Sequence, residues 1–290
     1  MIIARITSGL GNQLFQYALA RHLALKNKTS LYVDLSYYRQ AYETDTLRSF
    51  KLDRFNTHYH VLNDSPFLYV SKFTKLLPNR TLKPVFHFVQ EQQFHVDPSV
   101  EQARSAVVTL EGFWQSERYF RASADAVRRE LTFQRKPGPD FARYADQIAQ
   151  TDCPVSVHIR RGDYVNHPEF SQSFGFIGLD YYQAALAELN RRFVNARFFV
   201  FSDDPDWVAA NLHLSAPHVY VRNSGPDADV DDLQLMSLCH HHVIANSSFS
   251  WWGAWLNPRP DKLVIAPRTW FRNKPTWNTV DLIPDTWLRL

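Results

Sequence analysis

Only two cysteines occur in the 290 residues, Cys153 and Cys239, and their surroundings are unlike, so neither a disulfide framework nor a thiol metal site can be built from them. That scarcity suits a reducing compartment. No apolar stretch is long enough to cross a bilayer, and the N-terminal MIIARITSGLGNQ has too short an apolar run for a signal peptide. A cytoplasmic protein is expected. Strong net charge is missing as well: 32 Lys and Arg stand against 29 Asp and Glu, a balance of +3 that does not argue for nucleic acid, and no nucleic-acid module is present. Repeats and low-complexity tracts are absent.

What charge there is lies unevenly. Residues 1–150 hold 20 Lys and Arg against 14 Asp and Glu, whereas residues 151–290 hold 12 against 15, which makes the first half the basic one. The eight Trp, thirteen Tyr and twenty-one Phe are many; such rings either pack in cores or stack against sugars and bases. Apolar β-prone runs alternate with helix-like stretches, the pattern of α/β units around parallel sheets. Strands are expected at residues 2–6, 31–35, 107–112, 155–159, 197–202, 218–221, 242–245 and 262–266, the last of these closing the series. Helices are expected from Asn12 to about Lys26, over 118–131, from Asp180 to about Arg192, from about Val230 to Cys239, and from near Phe249. The stretch RKPGPD (135–140) breaks any regular element, and a boundary is placed after a short helix ending near Gln150. Two doubly wound halves, 1–150 and 151–290, facing across a cleft are the expected fold, with ligands at the carboxyl ends of strands.

Three stretches occupy such ends. In VSVHIRRGDY (155–164) an apolar strand delivers Arg160 and Arg161 to the rim; guanidinium forks match phosphate oxygens, so a diphosphate is the expected ligand and a surface ion pair the alternative. The tripeptide RGD within it is too short to argue for adhesion. In SGLGNQLFQY (8–17) a glycine-rich turn opens a helix, where N–H groups and the helix dipole favour an anion. It lacks the Lys-Ser/Thr of a P-loop and the G-x-G-x-x-G spacing, and a tight turn with Asn12 as N-cap explains it equally well. In ANSSFSWWGAW (245–255), Asn246, Ser247 and Ser248 precede a helix that they either cap or supply with a bound phosphate.

In this order, GLGNQLFQY, GFWQSERYF (112–120), HIRRGDY, FSDD (201–204) and MSLCHHHVIANSSFSWWGAWL (236–256) resemble the bacterial α-1,2-fucosyltransferases of glycosyltransferase family 11. The resemblance implies a GT-B fold with an N-terminal acceptor-binding domain and a C-terminal donor domain, the final segment packing back on the first. It also implies GDP-β-L-fucose as donor, inversion to an α-linked product, a galactoside 2-hydroxyl as acceptor on a surface polysaccharide or O-antigen, and no cofactor or required metal. By the same resemblance Arg160 faces the pyrophosphate, with Arg161 assisting or holding the loop. Asn12, flanked by Gly11 and Gln13, faces the donor sugar and phosphate, and Ser247, Ser248 and Phe249 contact phosphates and fucose beside Asn246. Ser202, His158 and one of Asp231 or Asp232 complete the donor set, the last two at guanine or ribose. Asp34, Trp114 and Gln115 are placed with the acceptor.

Inversion calls for a carboxylate near the attacking hydroxyl, and Asp163, Asp34 and Glu117 are the options; Asp163, beside two guanidiniums, would serve as base or only orient them. The Asp-x-Asp pattern in DDPD (203–206) is that of many metal-dependent glycosyltransferases, yet the paired arginines already supply positive charge, and no metal is expected. His240, His241 and His242 are consecutive, so in a strand they alternate faces and cannot converge on one ion. In PFLYVSKFTKLLP (66–78), Phe67, Val70, Phe73 and Leu77 have helical spacing with Lys72 and Lys75 elsewhere around the helix, the mark of a surface helix packed on the sheet or of a patch resting on an anionic inner membrane face. Two other readings stay open: a transferase of another nucleotide sugar or linkage on the same scaffold, and a non-catalytic glycan-binding protein using its aromatic surface.

Overall fold

Parallel strands cannot be joined by hairpins, and the alternation of apolar runs with helices already requires crossovers. In the computed structural model, which describes residues 1–39, 48–62, 85–134, 136–274 and 277–290, every pairing between the described strands is indeed parallel. The chain divides into two units, one of Met1–Gln134 with Trp277–Leu282, the other of Arg135–Thr276 with Ile283–Leu290.

The first unit contains β1 (Ile2–Arg5), β2 (Leu31–Asp34), β3 (His60–Val61), β4 (Phe86–Gln90) and β5 (Val107–Glu111), in the order β3-β2-β1-β5-β4. Ile2 of central β1 lies opposite Leu31 on one side and Val108 on the other. Helix α1 (Leu10–Lys26) follows β1 and is buried along most of its length, polar Gln13, Gln16 and His22 included. Helix α2 (Ala124–Glu130) is tied to it where Glu130 takes both Arg21 Nη2 at 2.7 Å and the Tyr17 hydroxyl. The expected helix over 118–131 begins only at Ala124, because 3-10 turns occupy Glu117–Tyr119 and Arg121–Ser123.

The second unit holds β6 (Cys153–Ile159), β7 (Ala196–Ser202), β8 (His218–Tyr220), β9 (His241–Val243), β10 (Val264–Ala266) and β11 (Leu288–Arg289), in the order β11-β10-β9-β6-β7-β8. Six of the seven β6 residues are buried, as befits a strand covered on both faces. Helices α3 (Phe141–Ala149), α4 (Gly162–Asn166), α5 (Pro168–Ser173), α6 (Leu179–Arg192), α7 (Pro205–Asn211), α8 (Ala228–Leu238) and α9 (Ser248–Leu256) complete it. In α9, Trp251, Trp252 and Trp255 are buried and in mutual ring contact, with Trp287 against Trp251. Here tryptophan is core.

Two expectations need correcting, and other stretches went unforeseen. The division falls at Gln134 rather than at residue 150, because α3 packs on α8 and so belongs to the second unit. The strand near 262–266 is not the last: β11 pairs with it through Ile265 and Leu288, a two-residue strand with no local periodicity to reveal it. Strands β3 and β4 also escaped, β3 for its length and β4 because FHFVQ is only partly buried and does not alternate. The stretch 66–78 lies outside the described residues. Among those described, no helix is long and apolar enough to cross a membrane.

Close approach of α8 and α9 depends on Gly253, where an added Cβ would lie 3.0 Å from Met236 Cβ. A larger side chain overpacks this contact. Gly253→Val is expected to cost about 1–3 kcal/mol, measured by urea unfolding, and Met236→Ala in the same chain should recover part of the loss by making room.

Candidate functional site

Strand order in the second sheet reverses at β6: β7 and β8 build outward on one side, and the chain then returns to lay down β9 to β11 on the other. Loops diverge at such a reversal, and parallel α/β sheets bind ligands there, outside the strand carboxyl ends. The loop after β6 carries Arg160 and Arg161, that after β7 carries Asp203 and Asp204, and that after β9 carries Asn246 and Ser247, with Ser248 opening α9.

Arg160 is held between two carboxylates. Its Nη2 donates to Asp163 Oδ2 at 2.8 Å and its Nη1 lies 3.0 Å from Asp203 Oδ2, while Asp203 Oδ1 accepts the Arg161 backbone N–H at 2.9 Å. Such proximity requires Gly162, since a Cβ there would sit 2.6 Å from Asp203 Oδ2. Arg161 pairs with Asp204 and lies over the Trp207 ring, 4.0 Å from its centroid. Asp204 in turn receives the Trp207 N–H as the cap of α7, and its own N–H donates to Ser202 Oγ at 3.0 Å. Ser202 and Arg161 therefore hold the loop together. The five side chains bring two positive and three negative charges, so both arginines are ion-paired, as the surface-ion-pair alternative foresaw. Asp163, bonded to Arg160, is placed to orient that guanidinium.

Beneath Arg160, His158 is buried against Phe249, ring centroids 5.4 Å apart, and its Nδ1 has no partner among the described residues. Burial pushes its pKa down to about 4, with the Asp203 charge opposing and the Arg160 charge adding to the shift. Ser247 is the N-cap of α9 but makes no side-chain cap bond; Ser248 and Phe249, half-buried, form the first turn. Asn246 is fully buried, its Nδ2 within 3.1–3.3 Å of the carbonyls of Phe174, Gly175 and Trp270 and its Oδ1 without a partner among the described residues. It ties loops together. The two aspartates left open in α8 separate clearly: Asp231 accepts the Gly138 N–H at 3.0 Å, while Asp232 accepts Asn223 Nδ2 at 2.7 Å and is pushed up to about 7, mainly by burial.

The histidine run and the Asp-x-Asp pattern have structural partners. His242 is buried with Nδ1 2.8 Å from Ser156 Oγ and Nε2 accepting from Asn257 Nδ2; His241 stacks on Phe193 at 4.0 Å and its Nδ1 accepts the Leu263 N–H. Asp203, Asp204 and Asp206 pair with Arg160, Arg161 and Arg222 respectively. No group of three or more His, Cys, Asp or Glu among the described residues is arranged to hold a metal ion.

In the first sheet the reversal lies between β1 and β5. The turn after β1 makes Gly9 the N-cap of α1, so Asn12 lies in the first helical turn and is not the cap; Ser8, at φ 64°, absorbs the sharp bend instead. Across the reversal, Asn12 Oδ1 accepts Gln115 Nε2 at 2.7 Å. Gly11 is buried in the same turn, and buried Gln13 uses its amide to hold Ser8 O, Ser49 O and the Lys51 N–H, which makes it a loop anchor. All three expected acceptor residues, Gln115, Trp114 and Asp34, are internal. Trp114 is 2% exposed at φ 57°, its ring edge-on to Tyr119, and Asp34 accepts the Ser36 N–H at 2.8 Å. Glu117 pairs with Arg121 at 2.9 Å.

A cavity of about 250 Å³ opens at this edge, lined by Arg5, Thr7, Gln90, Glu91, Glu111, Gly112 and Phe113. Glu91 accepts the N–H groups of Phe113 at 2.7 Å and Trp114 at 3.0 Å, and burial raises its pKa. Sequence reasoning missed it because β4, which delivers it, was missed.

The family model described as Glycosyl transferase family 11 matches residues 1–278. An alpha-1,2-colitosyltransferase of Escherichia coli is 34% identical over 100% of this chain and 99% of its own, and the O-antigen biosynthesis glycosyltransferase WbnK of Escherichia coli is 33% identical over 98% and 99%. Human galactoside alpha-(1,2)-fucosyltransferase 1 is 28% identical over 58% of this chain and 48% of its own. Among solved structures, Arabidopsis thaliana FUT1 in complex with GDP superposes with a TM-score of 0.51 at 11% identity, covering 98% of this chain and 74% of that one. This likeness concerns the fold, the two-sheet α/β type named GT-B.

His158 and Asp232 make opposite demands on pH. With its pKa depressed in the fold, His158 loses stabilisation as pH falls from about 6.5 to about 4; Asp232, with its pKa raised, loses it as pH rises from about 4 to about 7. Asp232→Asn should therefore steepen the rise of stability with pH across this window, by up to about 1.4 kcal/mol per pH unit. Urea titrations at pH 4.5, 5.5 and 6.5 (roughly spanning the window) test this; an unchanged slope would mean that Asp232 titrates normally.

Proposed function

Because the chain belongs to glycosyltransferase family 11, we propose that it is an inverting transferase that moves L-fucose from GDP-β-L-fucose to the 2-hydroxyl of a terminal β-galactose on an O-antigen-type glycan, without a metal or other cofactor. The observation that carries this reading is the grouping at the β6 reversal: a fixed guanidinium, Arg160, after β6 and an uncapped helix N-terminus, Ser247 to Phe249, after β9. Charge develops on the β-phosphate as GDP leaves, and groups already aimed at it stabilise the transition state more than the ground state. Arg160 is the cation for that task. The N–H groups and hydroxyls of Ser247 and Ser248 add donors, and Phe249 packs the sugar end.

Asp163 and Asp203 then have a defined role. They hold the Arg160 fork before the donor arrives, so the guanidinium needs little reorganisation, and a diphosphate shares it with carboxylates already in place. Arg161 serves the loop. Neutral His158 and half-buried Asp232 are left for nucleoside contacts, Asp232 at ribose or guanine. In the first unit, Gln115 holds Asn12 in the turn that follows β1.

The 34% identity to a colitosyltransferase over the full chain favours one alternative, the same inverting transfer with colitose as the sugar. GDP release with EDTA present decides between them when GDP-fucose and the GDP derivative of colitose are compared, each with lactose, a β1,3-linked galactoside or no acceptor. Acceptor-dependent release from GDP-fucose, reduced about 100-fold or more by Arg160→Ala, is the expected result. Release from the colitose donor alone would change the sugar and keep the site. Glycan binding without any release would leave a lectin.

A further inference from the structure

Resting on the galactoside reading above, we propose that the cavity at the carboxyl ends of β1, β5 and β4 is the subsite for a single neutral pyranose, the terminal galactose of the acceptor, bounded by Phe113, Glu91 and the Arg5–Glu111 pair. The position is the strand-order reversal of the first sheet, where loops part and ligands bind. Its volume of about 250 Å³ falls below the roughly 300–1,000 Å³ of sites for drug-sized ligands, a size that suits one sugar ring. Charge points the same way: two carboxylates against one guanidinium disfavour a phosphate.

The lining fits a pyranose, which has an apolar C–H face and a rim of hydroxyls. Phe113 is among the few large apolar side chains left exposed, at 39%, and supplies an aromatic surface. Glu91 receives two backbone N–H bonds from Phe113 and Trp114, so the carboxylate and the turn carrying the ring are fixed together, and lone pairs remain for a hydroxyl. Arg5 donates to Glu111 at 2.8 Å through Nη1, while its buried Nε has no partner among the described residues. Gly112 leaves the floor bare; a Cβ there would lie 2.5 Å from Glu91 Cβ.

The test is direct titration of methyl β-D-galactopyranoside, followed by calorimetry or saturation-transfer NMR, into wild type, Phe113→Ala and Glu91→Gln, with GDP titrated separately into each. Phe113 is exposed, so its variant should fold even where Glu91→Gln does not. The expected result is binding to wild type, weakened about tenfold in Phe113→Ala, with GDP affinity unchanged. Unchanged galactoside affinity in Phe113→Ala, or no binding to wild type, overturns the proposal while a normal GDP response keeps the donor reading alive. Galactoside binding that depends on Phe113 in a chain that ignores GDP upholds the subsite and removes the donor reading.

Discussion

Parallel pairing is the constraint from which the rest follows. A strand that must lie parallel to its neighbour has to be reached by a crossover, and a chain that builds outward on one side must at some point return to the other. Where it returns, two loops leave the sheet in opposite directions and expose strand ends that no neighbour covers. In the second unit this happens at β6 and β9, in the first at β1 and β5. Arg160 and Ser247 flank one reversal, Asn12 and Gln115 the other. Their chemistry differs, but one topological cause places both sets.

At the β6 reversal the dominant physics is charge compensation. Bare guanidiniums side by side would repel, and two loose arginines would lose side-chain entropy on meeting a ligand. Asp163, Asp203 and Asp204 remove both problems by pairing with them, at the cost of positive potential. Gly162 permits the arrangement, because any side chain there would displace Asp203. Aromatic residues show a similar division of labour: Trp207 lies under Arg161, Phe249 lies against His158, and the tryptophans of α9 fill the core.

Much of this was legible in the sequence. Apolar runs announced eight of the eleven strands among the described residues, and the motifs HIRRGDY and ANSSFSWW marked the loops that meet at β6. Local pattern could not show what was two residues long, as β3 and β11 are, or half-covered, as β4 is. Missing β4 meant missing Glu91, and so the cavity. Side chains with a familiar functional look were also misplaced: Trp114 turned inward on Tyr119, and Gln13 spent its amide on neighbouring backbone.

Composition, alternation and motif order by themselves determined the α/β class, the two-sheet organisation and the family, because these depend on local periodicity and on residues close together in the chain. Which polar side chains meet across the sheets was decided only by tertiary structure. Arg160 and Asp203 are 43 residues apart, Arg5 and Glu111 are 106 apart, and Asn12 and Gln115 are 103 apart. No local rule links such pairs; they become neighbours because the register of parallel strands carries distant loop ends to the same edge.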